Sequence, residues 1–151
     1  MRGWGSRRLF GIVLALAMVG PAWGQVPDRP ESADVVRRRA ELQEAVRRVG
    51  ETGTGLLAPL FRLGYALLDD RRPVEAEEVF RRQLAIAQAR YSAEHIEASH
   101  ALHHLGETFR RSRRCSEAVP FYEQALALRE KLRGPDHVDV ARSLSGLGLC
   151  Q

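Results

Sequence analysis

The chain has 151 residues, of which 44% are hydrophobic and 28% charged, with two cysteines. That length holds one domain, and two cysteines exclude a disulfide-dense scaffold. The formal charge of +4 sits at the front: residues 1–24 carry Arg2, Arg7 and Arg8 and no acid, which leaves 20 basic against 19 acidic residues in the remainder. Beyond the N-terminus no net basic field for nucleic acid remains.

Residues 1–24 read as a cleavable signal peptide. A positive start precedes an apolar run from Leu9 to Val19, and Gly20-Pro21 leads into the small-x-small triplet Ala22-Trp23-Gly24. The run is shorter than the roughly 20 residues a spanning helix needs, so no stable membrane span is expected after cleavage. The expected location is exported, either periplasmic or secreted. Residues 25–30 form a polar linker with two prolines.

A helix is predicted over 31–50, capped by Ser32 or Asp34. Val35, Leu42, Val46 and Val49 share its apolar stripe. Arg37 with Glu41, and Glu44 with Arg48, are spaced four apart for pairing. Three glycines between Gly50 and Gly55 end it.

The rest of the chain repeats itself. Residues 57–98 laid on 99–140 give ten identities. Leu60, Leu63 and Gly64 fall on Leu102, Leu105 and Gly106, Arg71-Arg72 on Arg113-Arg114, and Glu75-Ala76 on Glu117-Ala118. Leu84-Ala85 falls on Leu126-Ala127 and His95 on His137. A second shift of 42 reaches Leu144, Leu147 and Gly148, inside a third unit that stops at 151. Fixed-period identity of this kind marks a stacked repeat.

Each unit splits into two helices. First helices are predicted at about 56–69, 95–111 and from 137 onward, and second helices at about 73–90 and 116–133. Pro73 suits a first-turn position, Ser116 and Asp136 are the expected caps, and Pro120 lies near a helix start. A glycine within a helix costs about 1 kcal/mol relative to alanine. Its recurrence at one phase therefore predicts a close helix approach, with Ala76 and Ala118 as the expected opposing residues.

Leu102, Leu105, Gly106, Phe109, Ala118, Tyr122 and Ala125, with Leu60, Leu63, Gly64, Leu67, Ala76 and Phe80 one unit earlier, resemble the signature of the tetratricopeptide repeat. Gln83 departs from the small residue usual at its position. The period and the loop Gly134-Pro135-Asp136-His137 are similar to the kinesin-light-chain-type subset, in a bacterial-style exported protein. The resemblance implies an all-α fold: tandem helix-turn-helix repeats forming a short right-handed α-solenoid over 56–151, in units 57–98, 99–140 and a truncated 141–151. The 31–50 helix is expected to cap the front. The resemblance also runs consecutive helices antiparallel, which brings Cys115 and Cys150 within reach of a disulfide.

In that family the first helices line a concave groove. Carried over, the groove holds Ala58, Phe61, Tyr65 and Leu68, then His100, His103, Glu107, Arg110 and Arg111, with Arg142 and Ser145 beginning the third unit. An apolar-aromatic floor beside an arginine-edged patch suits an extended peptide or partner helix.

His100, His103, His104 and Glu107 approach a metal-ligand spacing, but no glutamate follows His100 and His103 points away from His104, so no metal is expected. His95 and His137 recur at one phase and read as structural loop residues. No nucleophile elbow, phosphate loop or Cys-x-x-Cys is present.

The expected function is non-enzymatic: a scaffold without cofactor that binds a protein or peptide, and no nucleic acid, through the groove. The alternative is the N-terminal regulatory repeat region of a larger, truncated enzyme or signalling protein. Leu144, Leu147 and Leu149 lack a second helix of their own unit, so self-association through the incomplete C-terminal repeat is a further expectation.

Overall fold

A computed structural model of the chain describes residues 29–151. The signal peptide read at 1–24 lies outside the described residues, as does the linker before Arg29. Six helices make up the fold, and no strand occurs among the described residues. They are α1 (Ala33–Val49), α2 (Leu57–Asp69), α3 (Pro73–Arg90), α4 (Ile96–Arg111), α5 (Cys115–Arg133) and α6 (Val138–Gly148), with a single 3-10 turn at Thr54–Leu56 before α2. Each helix packs on the next in the chain, and α4 also meets α6.

The caps follow the repeat. Ser32 caps α1, accepting from the Val35 N–H. Pro73 opens α3 at a position where its missing N–H costs nothing. His95 and His137, one repeat apart, each turn Nδ1 onto the backbone N–H two residues on, at 3.2 Å from Glu97 and 3.1 Å from Asp139. His137 therefore caps α6 in place of the expected Asp136.

Ser116 does not cap α5 either. Arg113 takes a left-handed φ of 59°, and Arg114 then donates its N–H to Phe109 O at 2.9 Å. That tight turn starts α5 at Cys115, one residue before the expected cap. Arg71, also at φ 59°, makes the same turn one unit earlier. Glycines close α1 and α5, where Gly50 and Gly134 stand at φ 75° and 81° and bond back to Val46 O and Glu130 O.

On α1, Arg38 rather than Arg37 pairs with Glu41, and Arg37 turns to Asp34. Arg39 and Arg62 tie this helix to the repeats, through Glu75 and Glu41 respectively.

The repeated leucines form the core. Leu60, Leu63, Leu67 and Leu105 are fully buried with Val35, Phe80 and Tyr122. The close approach predicted from the repeated glycine is present, but its partner differs from the expectation. A Cβ on Gly64 would lie 2.3 Å from the Phe80 ring, and one on Gly106 2.8 Å from the Tyr122 ring. Each glycine makes room for an aromatic ring one helical turn beyond the alanine, because a ring fills the inter-helix gap that Ala76 or Ala118 would leave open. Tyr122 is shared: a Cβ on Gly146 of α6 would lie 2.5 Å from the same ring.

At the back, Cys115 and Cys150 are joined as a disulfide with Cα atoms 5.1 Å apart. Leu147 and Cys150 pack on the buried cluster of Phe109, Ala118 and Tyr122. The outer side of α6 is uncovered: Leu144 is 51% exposed, whereas its repeat counterpart Leu102 is 5% exposed.

Candidate functional site

Residues three and four apart share a helix face. On α2 this spacing aligns Ala58, Phe61 and Tyr65, on α4 His100, His103 and His104, and on α6 Asp139 and Arg142. These faces converge on one groove of about 780 Å³, with Thr54, Gly55 and Tyr91 at its edge and Gln83 and Arg129 reaching in from the second helices.

The α2 side is aromatic. Phe61 is 42% exposed, and its ring centroid lies 5.0 Å from both Tyr65 and His104. Behind it, His104 packs against Phe80 at 5.1 Å and is buried. Gln83 explains how an imidazole is tolerated there. Its Nε2 donates to Leu57 O at 3.0 Å, which leaves Oε1 facing His104 Nδ1 at 2.9 Å. That arrangement assigns the proton to Nδ1 and makes His104 the donor. Burial drives its pKa down to about 3, so the ring is neutral at physiological pH. Burial also takes His103 down to about 4 and lowers His100. Tyr65 is pushed up to about 12, by burial first and then by the nearby Glu107 charge.

The α6 side is charged. Asp139 receives Arg142 at 3.0 Å and lies 3.8 Å from His100 and 3.5 Å from His137. Burial alone would raise its carboxyl, but Arg129, His100, His137 and Arg142 outweigh burial and hold it below the usual range. Arg129 is the largest fully buried side chain, 2% exposed, with Nη1 bonded to Asp139 O at 2.8 Å and Ser143 Oγ at 2.7 Å.

Of the residues carried over from the sequence, Phe61, Tyr65, His100 and His103 line this groove, as do Ala58 and Arg142. Leu68, Glu107, Arg110 and Arg111 do not. Leu68 is buried in the core cluster with Leu67, Phe80 and Leu105, where an apolar side chain gains more than at a solvated face. Glu107 is engaged by Arg110 at 2.7 Å and by the Tyr122 hydroxyl at 2.5 Å. Burial would raise its carboxyl, and those two hydrogen bonds reverse the shift. Arg111 reaches back to Asp69 at 2.7 Å. Glu107 and Arg111 hold neighbouring helices together alongside the groove, and Arg110 pairs with Glu107 within α4.

Gln83 and Arg129 went unrecognised as groove residues in the sequence. A signal existed for both, because the 42-residue shift sets Gln83 on the buried Ala125 and Arg129 on the buried Ala87. A long polar residue at a core phase needs a reason. Among the described residues, no group of three or more His, Cys, Asp or Glu side chains is placed to hold a metal ion, and the Nδ1 of His104 is already occupied by Gln83.

Paired helices stacked at a fixed period, with first helices converging on a groove, define a helical-repeat protein. The tetratricopeptide repeat family matches residues 55–131, half of the chain, and the chain belongs to that family. A search of the curated proteins finds no match. Membership marks a protein–protein interaction module. Among the described residues no helix is long and apolar enough to cross a membrane.

Proposed function

We propose that the chain binds an extended peptide, or an extended segment of a partner protein, in the groove between α2, α4 and α6, and that it works by binding without catalysis. The observation that carries this reading is the exposed Phe61 ring, held on a rigid aromatic stack at the apolar end of a groove whose other end is charged. Such a surface suits an apolar anchor followed by polar contacts. The stack positions Phe61 before any ligand arrives, which lowers the ordering cost of binding. Neutral histidines along the middle of the groove add hydrogen-bonding edges without a charge to desolvate.

The experiment is photo-crosslinking in the full chain. A benzoyl-phenylalanine replaces Phe61 in one protein and Val36, exposed on the outer face of α1, in another. Each is irradiated with a synthetic random octapeptide pool. Crosslinked peptide concentrated at position 61 supports the groove. Equal yields at 61 and 36 contradict it.

A further inference from the structure

Helix α6 is joined to the molecule in three ways. At its start it follows Gly134, where a φ of 81° and the absence of any atom within 4 Å of an added Cβ provide a hinge that no side chain fills. Along its inner side it closes over the Arg129 guanidinium, which is 2% exposed. At its end Cys150 is tied to Cys115, the first residue of α5.

Burial under α6 is unfavourable for Arg129. Its Nη1 donates to Asp139 O and Ser143 Oγ, both on α6 and both neutral acceptors. The Asp139 carboxylate faces Arg142 instead, at 3.0 Å. Nε is buried with no hydrogen-bond partner among the described residues. A buried cation without a hydrogen-bonded anion is disfavoured against the same cation in water, and a buried unpaired donor adds to the penalty. Lifting α6 returns the guanidinium to water, and gives up the burial of Val140 and the seat of Gly146 on Tyr122. The docked and lifted arrangements therefore lie closer in free energy than apolar burial alone would set them. Asp139 and Arg142, the charged side of the groove, move with α6.

Resting on the groove reading above, we infer that the Cys115–Cys150 bridge is a redox latch on the groove. Oxidised, it holds α6 down as the charged wall. Opened by a dithiol, it lets α6 swing out about Gly134, and the groove loses that wall.

The opening step is thiol–disulfide exchange. A thiolate of the dithiol attacks Cys150 Sγ, the Sγ–Sγ bond breaks, and Cys115 leaves as a thiolate, a departure that its place at the N-terminus of α5 favours. The second thiolate of the reductant then attacks its own sulfur in the mixed disulfide and releases Cys150. Two electrons, and two protons through solvent, pass to the bridge, and the dithiol departs as a disulfide. Both cysteines are half-buried, not sealed in the core.

The full chain is compared oxidised, reduced with excess dithiothreitol, and reoxidised. Amide hydrogen exchange is read at Ser143 and Leu147 of α6 and at Leu102 and Leu105 of α4. Affinity is read with octapeptides selected from a random pool on the oxidised chain and weakened by Phe61→Glu. Cys150→Ser, with no bridge to open, is the second variant.

Reduction is expected to speed exchange at Ser143 and Leu147 by about tenfold or more while Leu102 and Leu105 stay within about twofold. The peptides weaken about tenfold and recover on reoxidation, and Cys150→Ser behaves as the reduced chain with or without reductant. Because coupling is reciprocal, saturating peptide raises the dithiol-to-disulfide ratio needed for half-reduction by about the same tenfold. Unchanged exchange in the reduced chain, or peptides that bind both redox forms equally, overturn the latch and leave the groove standing. Exchange that rises equally at Leu102 and Leu105 makes the bridge a staple of the whole fold and also overturns the latch. Selection that yields no peptide weakened by Phe61→Glu overturns the groove reading, and the latch with it.

Discussion

Gly64 and Phe80 interlock: the ring of Phe80 occupies the space a Cβ on Gly64 would need, 2.3 Å away. Tyr122 stands in the same relation to Gly106 and also receives Gly146 from the following helix. The repeat unit is therefore closed by a ring on a glycine, and Tyr122 carries the contact across to the next unit.

Two effects oppose each other when alanine replaces these glycines. Alanine gains about 1 kcal/mol of helix propensity. Overpacking against a ring face costs about 1–3 kcal/mol, and here the displaced atoms belong to a fully buried ring with no free direction. Gly106→Ala and Gly64→Ala are expected to lower stability by up to about 2 kcal/mol. Gly148, with nothing within 4 Å of its added Cβ, is the control. Gly148→Ala is expected to be neutral or stabilising by up to about 1 kcal/mol in urea unfolding.

The left-handed arginines offer a gain. Arg71 and Arg113 both sit at φ 59°, a region that costs a residue with a Cβ roughly 1–2 kcal/mol. Glycine removes that strain but adds freedom to the unfolded chain. Arg113→Gly is expected to raise stability by about 0.5–1 kcal/mol. A lower denaturation midpoint in that variant would show that the Arg113 side chain contributes more than its backbone strain costs.

The bridge from Cys115 to Cys150 closes a loop with a separation of 35 residues and fastens the end of α6 to the start of α5. A loop of that size carries about 3–4 kcal/mol in the chain-entropy account. Reduction is expected to speed hydrogen exchange over 138–150 while residues 96–130 change little. The bridge itself is checked by a non-reducing peptide map of protein prepared under oxidising conditions. Alkylation of both thiols in that protein would remove the bridge from the account.

Two buried histidines make stability fall in weak acid. Their folded values of about 4 for His103 and about 3 for His104 lie below the unfolded value near 6.5. Between those limits the unfolded chain binds more protons, so stability rises with pH across the window and is lost as pH drops through it. Between pH 7 and pH 5 the loss is expected to be roughly 1–2 kcal/mol for each ring. The depressed carboxylates Glu107 and Asp139 add their own loss only at lower pH, below the ordinary carboxylate range. His104→Gln keeps an amide donor for Gln83 and removes one titration while His103 and His100 remain, so its drop from pH 7 to pH 5 is smaller than that of the wild type by roughly 1–2 kcal/mol. An equal drop would locate the acid sensitivity elsewhere.

Much of the fold was readable because stacking enforces a period. Leu60, Leu63 and Gly64 recur at 42 residues, since each unit presents the same face to the same neighbour. The groove was readable in part, through Phe61, Tyr65, His100 and His103 on first helices. Leu68 was misplaced because an apolar residue next to a groove face looks the same in sequence whether it turns in or out. Glu107 and Arg111 were misplaced because Tyr122 and Asp69, which hold them, come from other helices and leave no trace at local spacing, and Arg110 follows Glu107, its partner three residues earlier on the same helix. Arg129 lay hidden in a charged stretch that reads as a solvated helix end, although its repeat counterpart is the buried Ala87.

If the face shared by α2, α4 and α6 is the binding surface, a charge placed on it weakens binding and the same charge on the outer face of α1 does not. The most direct measurement is affinity selection of a random peptide library on the full chain, followed by binding of the enriched peptides to two variants. Phe61→Glu places a charge on the groove stack, and Val36→Glu places the same charge on the outer face of α1, where the wild-type side chain is also exposed. Enriched peptides are predicted to bind Phe61→Glu at least about tenfold more weakly and Val36→Glu within about twofold of the wild type. Equal binding to wild type and Phe61→Glu, or loss confined to Val36→Glu, would contradict the account.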